Sequence, residues 1–238
     1  MNMKKMMRWA LLAAVLASLV GGAVLYFTAR EATVAAPAQP TQREAEAVAA
    51  RAQSGDPEAQ LRMGLWELQN ALKPADYARA AEWLRKAAES NNTEAEYRLA
   101  TVLQAGRGVP RDDTNAVFWF QQAAARQHVA SIYNLGMMYE EGRGVAPDAK
   151  TAARFMRQAA ELGDAYAQYN LARRCEEGHG VTRDLVEALA WYQLAEDGGI
   201  AGAKMGRSAL TSRLSAEERE RADRKVSDFK QKSVASHG

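Results

Sequence analysis

Tyr97, Tyr133 and Tyr169 recur at a constant interval of 36 residues, and so do Gly106, Gly142 and Gly178. Trp83, Trp119, Phe155 and Trp191 share the interval, as do Ala87, Ala123, Ala159 and Ala195. A fixed period of this size marks a stacked array, in which no single unit can bury its own apolar face and each borrows cover from its neighbours. The interval therefore constrains the fold class and most of the functional class together. An array of this kind offers an extended surface rather than a closed pocket.

Within each period the residues read as two helices. Asp56, Asn92, His128 and Asp164 open the units 56–91, 92–127, 128–163 and 164–199, and Asp56-Pro57 joins a capping side chain to a proline at the first helical position. Thr93 and Glu96 have the spacing of a capping box. Helix A then places Tyr97, Leu99, Ala100 and Leu103 on one face, repeated as Tyr133, Leu135, Gly136 and Tyr139 and as Tyr169, Leu171, Ala172 and Cys175. The small residue at 100, 136 and 172 predicts a close approach by a neighbouring helix. Gly106-Arg107-Gly108, Gly142-Arg143-Gly144 and Gly178-His179-Gly180 close helix A, and Asp112, Asp148 and Asp184 stand where helix B should start. Helix B carries a wide apolar stripe through Ala116, Trp119, Ala123 and Ala124, which requires burial.

These motifs resemble Sel1-like repeats, relatives of the tetratricopeptide repeat. The run Ser131-Ile132-Tyr133-Asn134-Leu135-Gly136-Met137-Met138-Tyr139-Glu140-Glu141-Gly142-Arg143-Gly144-Val145 matches the family pattern almost throughout. The resemblance spans roughly residues 56 to 200 and implies an all-α, right-handed α-solenoid of about four helix-turn-helix repeats with capping helices. The first unit departs from it, with Asn70 and Leu72 in place of the loop glycines, and Phe155 and Glu196 replace a tryptophan and an alanine. Residues 43–55 are expected to form an N-terminal capping helix. Residues 200–238 are expected to form a degenerate half repeat and a final helix, opened by the capping box of Ser215 and Glu218 and carrying a narrow stripe of Ala222, Val226 and Phe229.

Ahead of the repeats, Lys4, Lys5 and Arg8 precede an uncharged stretch from Trp9 to Phe27. As a helix it would span about 28 Å, close to the hydrocarbon thickness of a bilayer. Residues 1–28 thus read as a cytoplasmic stub and single transmembrane anchor, with the repeats on the far side, in the periplasm of a bacterium. The alternative is a signal peptide cleaved near Gly21-Gly22-Ala23, which would release the repeats into the periplasm or the medium. Residues 29–42, with Pro37 and Pro40, form a spacer.

The net charge is +2. Removing the three N-terminal cations leaves the body at about −1, which argues against a surface that tracks nucleic-acid phosphates. No cofactor or metal site is expected: His128, His179 and His237 are not paired at ligand spacing. The Gly-x-Gly pairs lack the third glycine of a dinucleotide fingerprint, holding Arg111, Pro147 and Arg183 there instead. No acid, base and nucleophile fall together, so no catalytic residue is expected. Cys175, the single cysteine, reads as a core filler, with an intermolecular disulfide as the alternative.

The family resemblance implies that variable A-helix columns line a groove for a protein or peptide partner. One column holds Leu65, Thr101, Met137 and Arg173, a second Leu68, Gln104, Glu140 and Glu176, and a third Glu58, Glu94, Ala130 and Tyr166. Of these, Leu65, Thr101, Gln104, Met137, Glu140, Tyr166, Arg173 and Glu176 are the candidate partner-binding residues. The expected role is an envelope adaptor or scaffold; an enzyme acting on cell-wall peptides or β-lactam-like compounds is the alternative.

Overall fold

A computed structural model describes residues 42–235, which form eleven α-helices and no strand. The expected membrane anchor and most of the spacer lie outside the described residues. Among those described, no helix is long and apolar enough to cross a membrane. The helices are α1 (Gln42–Gln53), α2 (Pro57–Gln69), α3 (Pro74–Glu89), α4 (Thr93–Ala105), α5 (Asp113–Ala125) and α6 (Val129–Glu141). They continue with α7 (Ala149–Glu161), α8 (Ala165–Glu177), α9 (Leu185–Asp197), α10 (Ala201–Arg213) and α11 (Ala216–Ala235). From α1 to α10 each packs on the next along the chain, α8 also meets α10, and α11 packs on α9, as a solenoid of helix pairs requires.

Local chemistry sets these boundaries. Asp56, Asn92, His128 and Asp164 each accept a hydrogen bond from a backbone N–H of the first turn that follows, at Ala59, Ala95, Ser131 and Ala167 respectively. Asp112, Asp148 and Asp184 do the same for α5, α7 and α9. Each such cap is worth about 1 kcal/mol. Ser215 and Glu218 form the reciprocal capping box at α11.

Gly142 and Gly144 show why the inter-helix loop needs two glycines. Gly142 closes α6 in the left-handed conformation at φ 66°, its N–H donating to the Met138 carbonyl. Gly144, also left-handed at φ 69°, is required for a different reason, since a Cβ there would lie 2.3 Å from the Asp113 carbonyl oxygen. The loop of one repeat is thus pressed onto the first turn of helix B in the repeat before it. On helix A, a Cβ on Gly136 would lie 2.8 Å from Met156 Cε, so the expected close approach is present. Leucine there would overpack by about 1–3 kcal/mol.

The core runs between the helix pairs. Leu84, Leu99, Phe120, Leu135, Met156, Leu171 and Leu189 are fully or almost fully buried, as are Ala116, Ala152 and Ala188. Each large apolar side chain gives about 1.5–3 kcal/mol on burial. In the tryptophan column, Trp191 is buried and donates to Glu187, while Phe155 is half-buried and stacks on Tyr139 with ring centroids 5.6 Å apart. Ala222 is buried and Val226 and Phe229 are half-buried, so the narrow stripe of α11 faces the array.

Two local expectations need correction. Thr93 and Glu96 do not form a capping box: Asn92 caps α4, and Glu96 is buried with its carboxylate on Arg126 at 2.9 and 3.0 Å. One turn into the helix, Glu96 faces protein rather than its own cap. In the first repeat, replacing the glycines by Asn70 and Leu72 shortens the loop to 70–73, and helix B begins early at Pro74. Without a left-handed turn the chain cannot make the longer excursion. The Asp76 carboxylate organises the shorter one by accepting from the N–H groups of Leu72 and Lys73.

Candidate interaction groove

The A-helix columns expected to line a groove differ in how far their side chains are buried and paired. In the second column, Gln104 is buried and Leu68 packs against the core. Glu140 is half-buried and pairs with Arg174 of the next repeat at 2.6 Å and with His179 at 3.1 Å. Glu176 accepts from Tyr192 Oη at 3.1 Å and from Arg213 at 2.9 Å. These acids are tied to the following repeat. That pairing was not legible in the column itself, because the partners Arg174 and Arg213 stand in other columns.

The first column is more open. Leu65 is partly buried against the core, and Thr101 donates its hydroxyl to the Tyr97 carbonyl of its own helix. Met137 is half-buried, and Arg173 keeps 43% of its side chain exposed with a 3.3 Å contact to Glu177. In the third column, Ala130 is buried and Tyr166 is half-buried. Glu58 and Glu94 reach the caps of the next pair, Glu58 through Asn92 and Glu94 through His128. Burial pushes the Glu94 carboxyl up, but the His128 hydrogen bond and the Arg98 charge outweigh it and hold the group down at about 2.

Arg173 and Glu176 line one cavity together. It is an open hollow of about 590 Å³ between α8 and α10, also lined by Tyr169, Tyr192, Met205 and Arg213. Sequence reasoning did not single out Met205 or Arg213. A signal existed: Met205 is the next member of the Tyr97, Tyr133, Tyr169 column, and an exposed methionine replaces the ring there.

Groups with chemical reactivity are screened. Burial pushes the Cys175 thiol up to about 12, aided by the Glu187 charge, and the side chain has no exposed surface. Cys175 is a free thiol. Burial, with Glu176 beside it, also raises the Tyr192 phenol. Among the described residues no group of acids, histidines or cysteines could hold a metal ion.

The comparisons with known proteins agree with this architecture. The family model for the Sel1 repeat matches residues 57–92, 93–128, 129–164 and 165–200. A Sel1 repeat protein from Oxalobacter formigenes has a similar structure at 23% identity, with a TM-score of 0.65 over 80% of this chain and 74% of its own. A second, c5321, a protective antigen of uropathogenic Escherichia coli displaying an SLR fold, is 27% identical with a TM-score of 0.54. The match covers 84% of this chain and 50% of the antigen, so the chain spans half of that protein's length. No curated protein matches the sequence. Sel1 repeats generally build protein-interaction scaffolds. With four consecutive repeats covering more than half of its length and an unbroken stack of helix pairs, the chain belongs to the Sel1 repeat family.

Proposed function

We propose that this protein is a membrane-anchored, non-catalytic adaptor that displays its Sel1 solenoid in the periplasm and holds a peptide or helix of a partner protein. The observation that carries the reading is the division within the A-helix columns. Glu140 and Glu176 pair with arginines of the following repeat, while half-buried Met137 and Tyr166 and the partly exposed Arg173 supply apolar, aromatic and cationic character in the neighbouring columns. Such a set suits a protein partner gripped by a few anchors. The uncharged stretch from Trp9 to Phe27 behind Lys4, Lys5 and Arg8 supports an anchor with the repeats outside the cytoplasm. The burial of Cys175 speaks against its use as a nucleophile, and so supports binding over the enzymatic alternative.

Crosslinking in the native host, with alanine placed together at Met137, Tyr166 and Arg173, tests the groove. Loss of the partner with helicity intact is expected. Unchanged recovery would count against it. Mass spectrometry of the mature N-terminus tests the anchor, since a start near Val24 would mean cleavage and release.

A further inference from the structure

The hollow between α8 and α10 differs from the corresponding places earlier in the array. In repeats two to four the tyrosine column holds Tyr97, Tyr133 and Tyr169, and a neighbouring column holds Arg98, Asn134 and Asn170. At the next step these columns hold Met205 and Gly206, and Gly202 follows Tyr166 in the third. The glycines let α10 rest on aromatic rings: a Cβ on Gly206 would lie 2.4 Å from the Tyr192 ring, and one on Gly202 3.2 Å from the Tyr169 hydroxyl. Met205, 74% exposed, is left at the rim.

Around this apolar floor stand three guanidinium groups, Arg173, Arg183 and Arg213, against two carboxylates, Glu176 and Glu177. Glu176 already accepts from Tyr192 and Arg213. Each arginine makes a single hydrogen bond among the described residues: Arg173 to Glu177, Arg183 to the Glu176 carbonyl, and Arg213 to Glu176. A guanidinium has five N–H donors in a fork that matches a carboxylate, so each keeps most of its capacity. The lining therefore combines surplus cationic donors with an exposed, adaptable thioether.

We infer that this end cavity docks an acidic peptide segment of the partner protein, its carboxylates on Arg173, Arg183 and Arg213 and an adjoining apolar side chain against Met205. The inference rests on the adaptor reading and names where, and by what chemistry, the partner is held. Weak, salt-sensitive binding follows from exposed charge pairs.

The test uses the full chain in detergent micelles and fluorescence anisotropy. One probe is a pool of short labelled peptides with paired glutamates or aspartates beside a leucine or phenylalanine; the other is the same pool with the acids replaced by their amides. The acidic pool should bind, the amide pool roughly tenfold more weakly. Met205→Glu should weaken acidic binding by a similar factor, and Arg173→Gln by several-fold. Both positions are exposed enough that circular dichroism should not change. Equal binding of both pools, binding of neither, or binding that survives both substitutions would overturn the assignment. A partner crosslinked through Met137 and Tyr166 and indifferent to Met205→Glu would leave the adaptor intact and remove only this pocket.

Discussion

Arg126, at the end of α5, donates to both carboxylate oxygens of Glu96, thirty residues earlier in α4, whose side chain is only 1% exposed. Gln60 and Gln168 occupy the same column and donate instead to the carbonyls of Ala52 and Ala160 in the preceding helix. A carboxylate cannot donate, so Glu96 turns forward to the end of the next helix, α5, in its own pair. Burial pushes its carboxyl up against the pull of Arg126. Arg126→Ala should therefore cost roughly 2–3 kcal/mol, while Glu96→Gln should change stability by less than about 1 kcal/mol and rescue the arginine variant. Urea unfolding of the four members of this cycle measures the coupling.

Gly144 and Gly163 both have positive φ, but only Gly144 faces a backbone carbonyl within 4 Å; Gly163 meets nothing. Gly163→Ala should cost about 1–2 kcal/mol through conformation alone. Gly144→Ala adds a collision with Asp113 and should cost about 2–4 kcal/mol. Thermal unfolding of the two variants side by side distinguishes an array pinned by its loops from one held by helices alone.

Cys175 should resist thiol reagents at pH 8 in the native protein and react fully in denaturant. Its folded thiol titrates near 12, above the ordinary value of 9.0. Between these values the unfolded chain loses the proton first, so the thiol draws stability down as pH rises from about 9 towards 12. Cys175→Ala should remove that alkaline component, as followed by stability against pH.

Glu94 behaves in the opposite sense. Its folded carboxyl, held down at about 2 against an ordinary 4.5, contributes stability above pH 4.5 that is lost as pH falls towards 2. The side chain is 37% exposed, so solvent screening keeps the contribution modest. Glu94→Gln should flatten the acid limb of the stability profile without moving the neutral plateau by more than about 1 kcal/mol.

Local chemistry made much of this molecule readable in advance. Asp56, Asn92, His128 and Asp164 open helices because a short polar side chain before an apolar run can reach the free N–H groups of the first turn, and Gly142 closes one because its turn is left-handed. The 36-residue interval then required that identical faces stack, and the alanine and leucine columns are buried accordingly. The single thiol read as a core filler is buried in α8.

What the variable columns do was decided only in three dimensions. Glu96, Glu140 and Glu176 look alike in sequence as helix-surface acids, yet Glu96 is held by Arg126 at the end of its own helix pair, and Glu140 and Glu176 by Arg174 and Arg213, one helix pair further on. A repeat dictates the backbone path common to all units. Which long side chain meets which across neighbouring pairs depends on reach, charge and burial at each step, and the interval does not encode these. The end hollow arises likewise, where Gly202, Met205 and Gly206 interrupt the pattern and α10 settles against Tyr192.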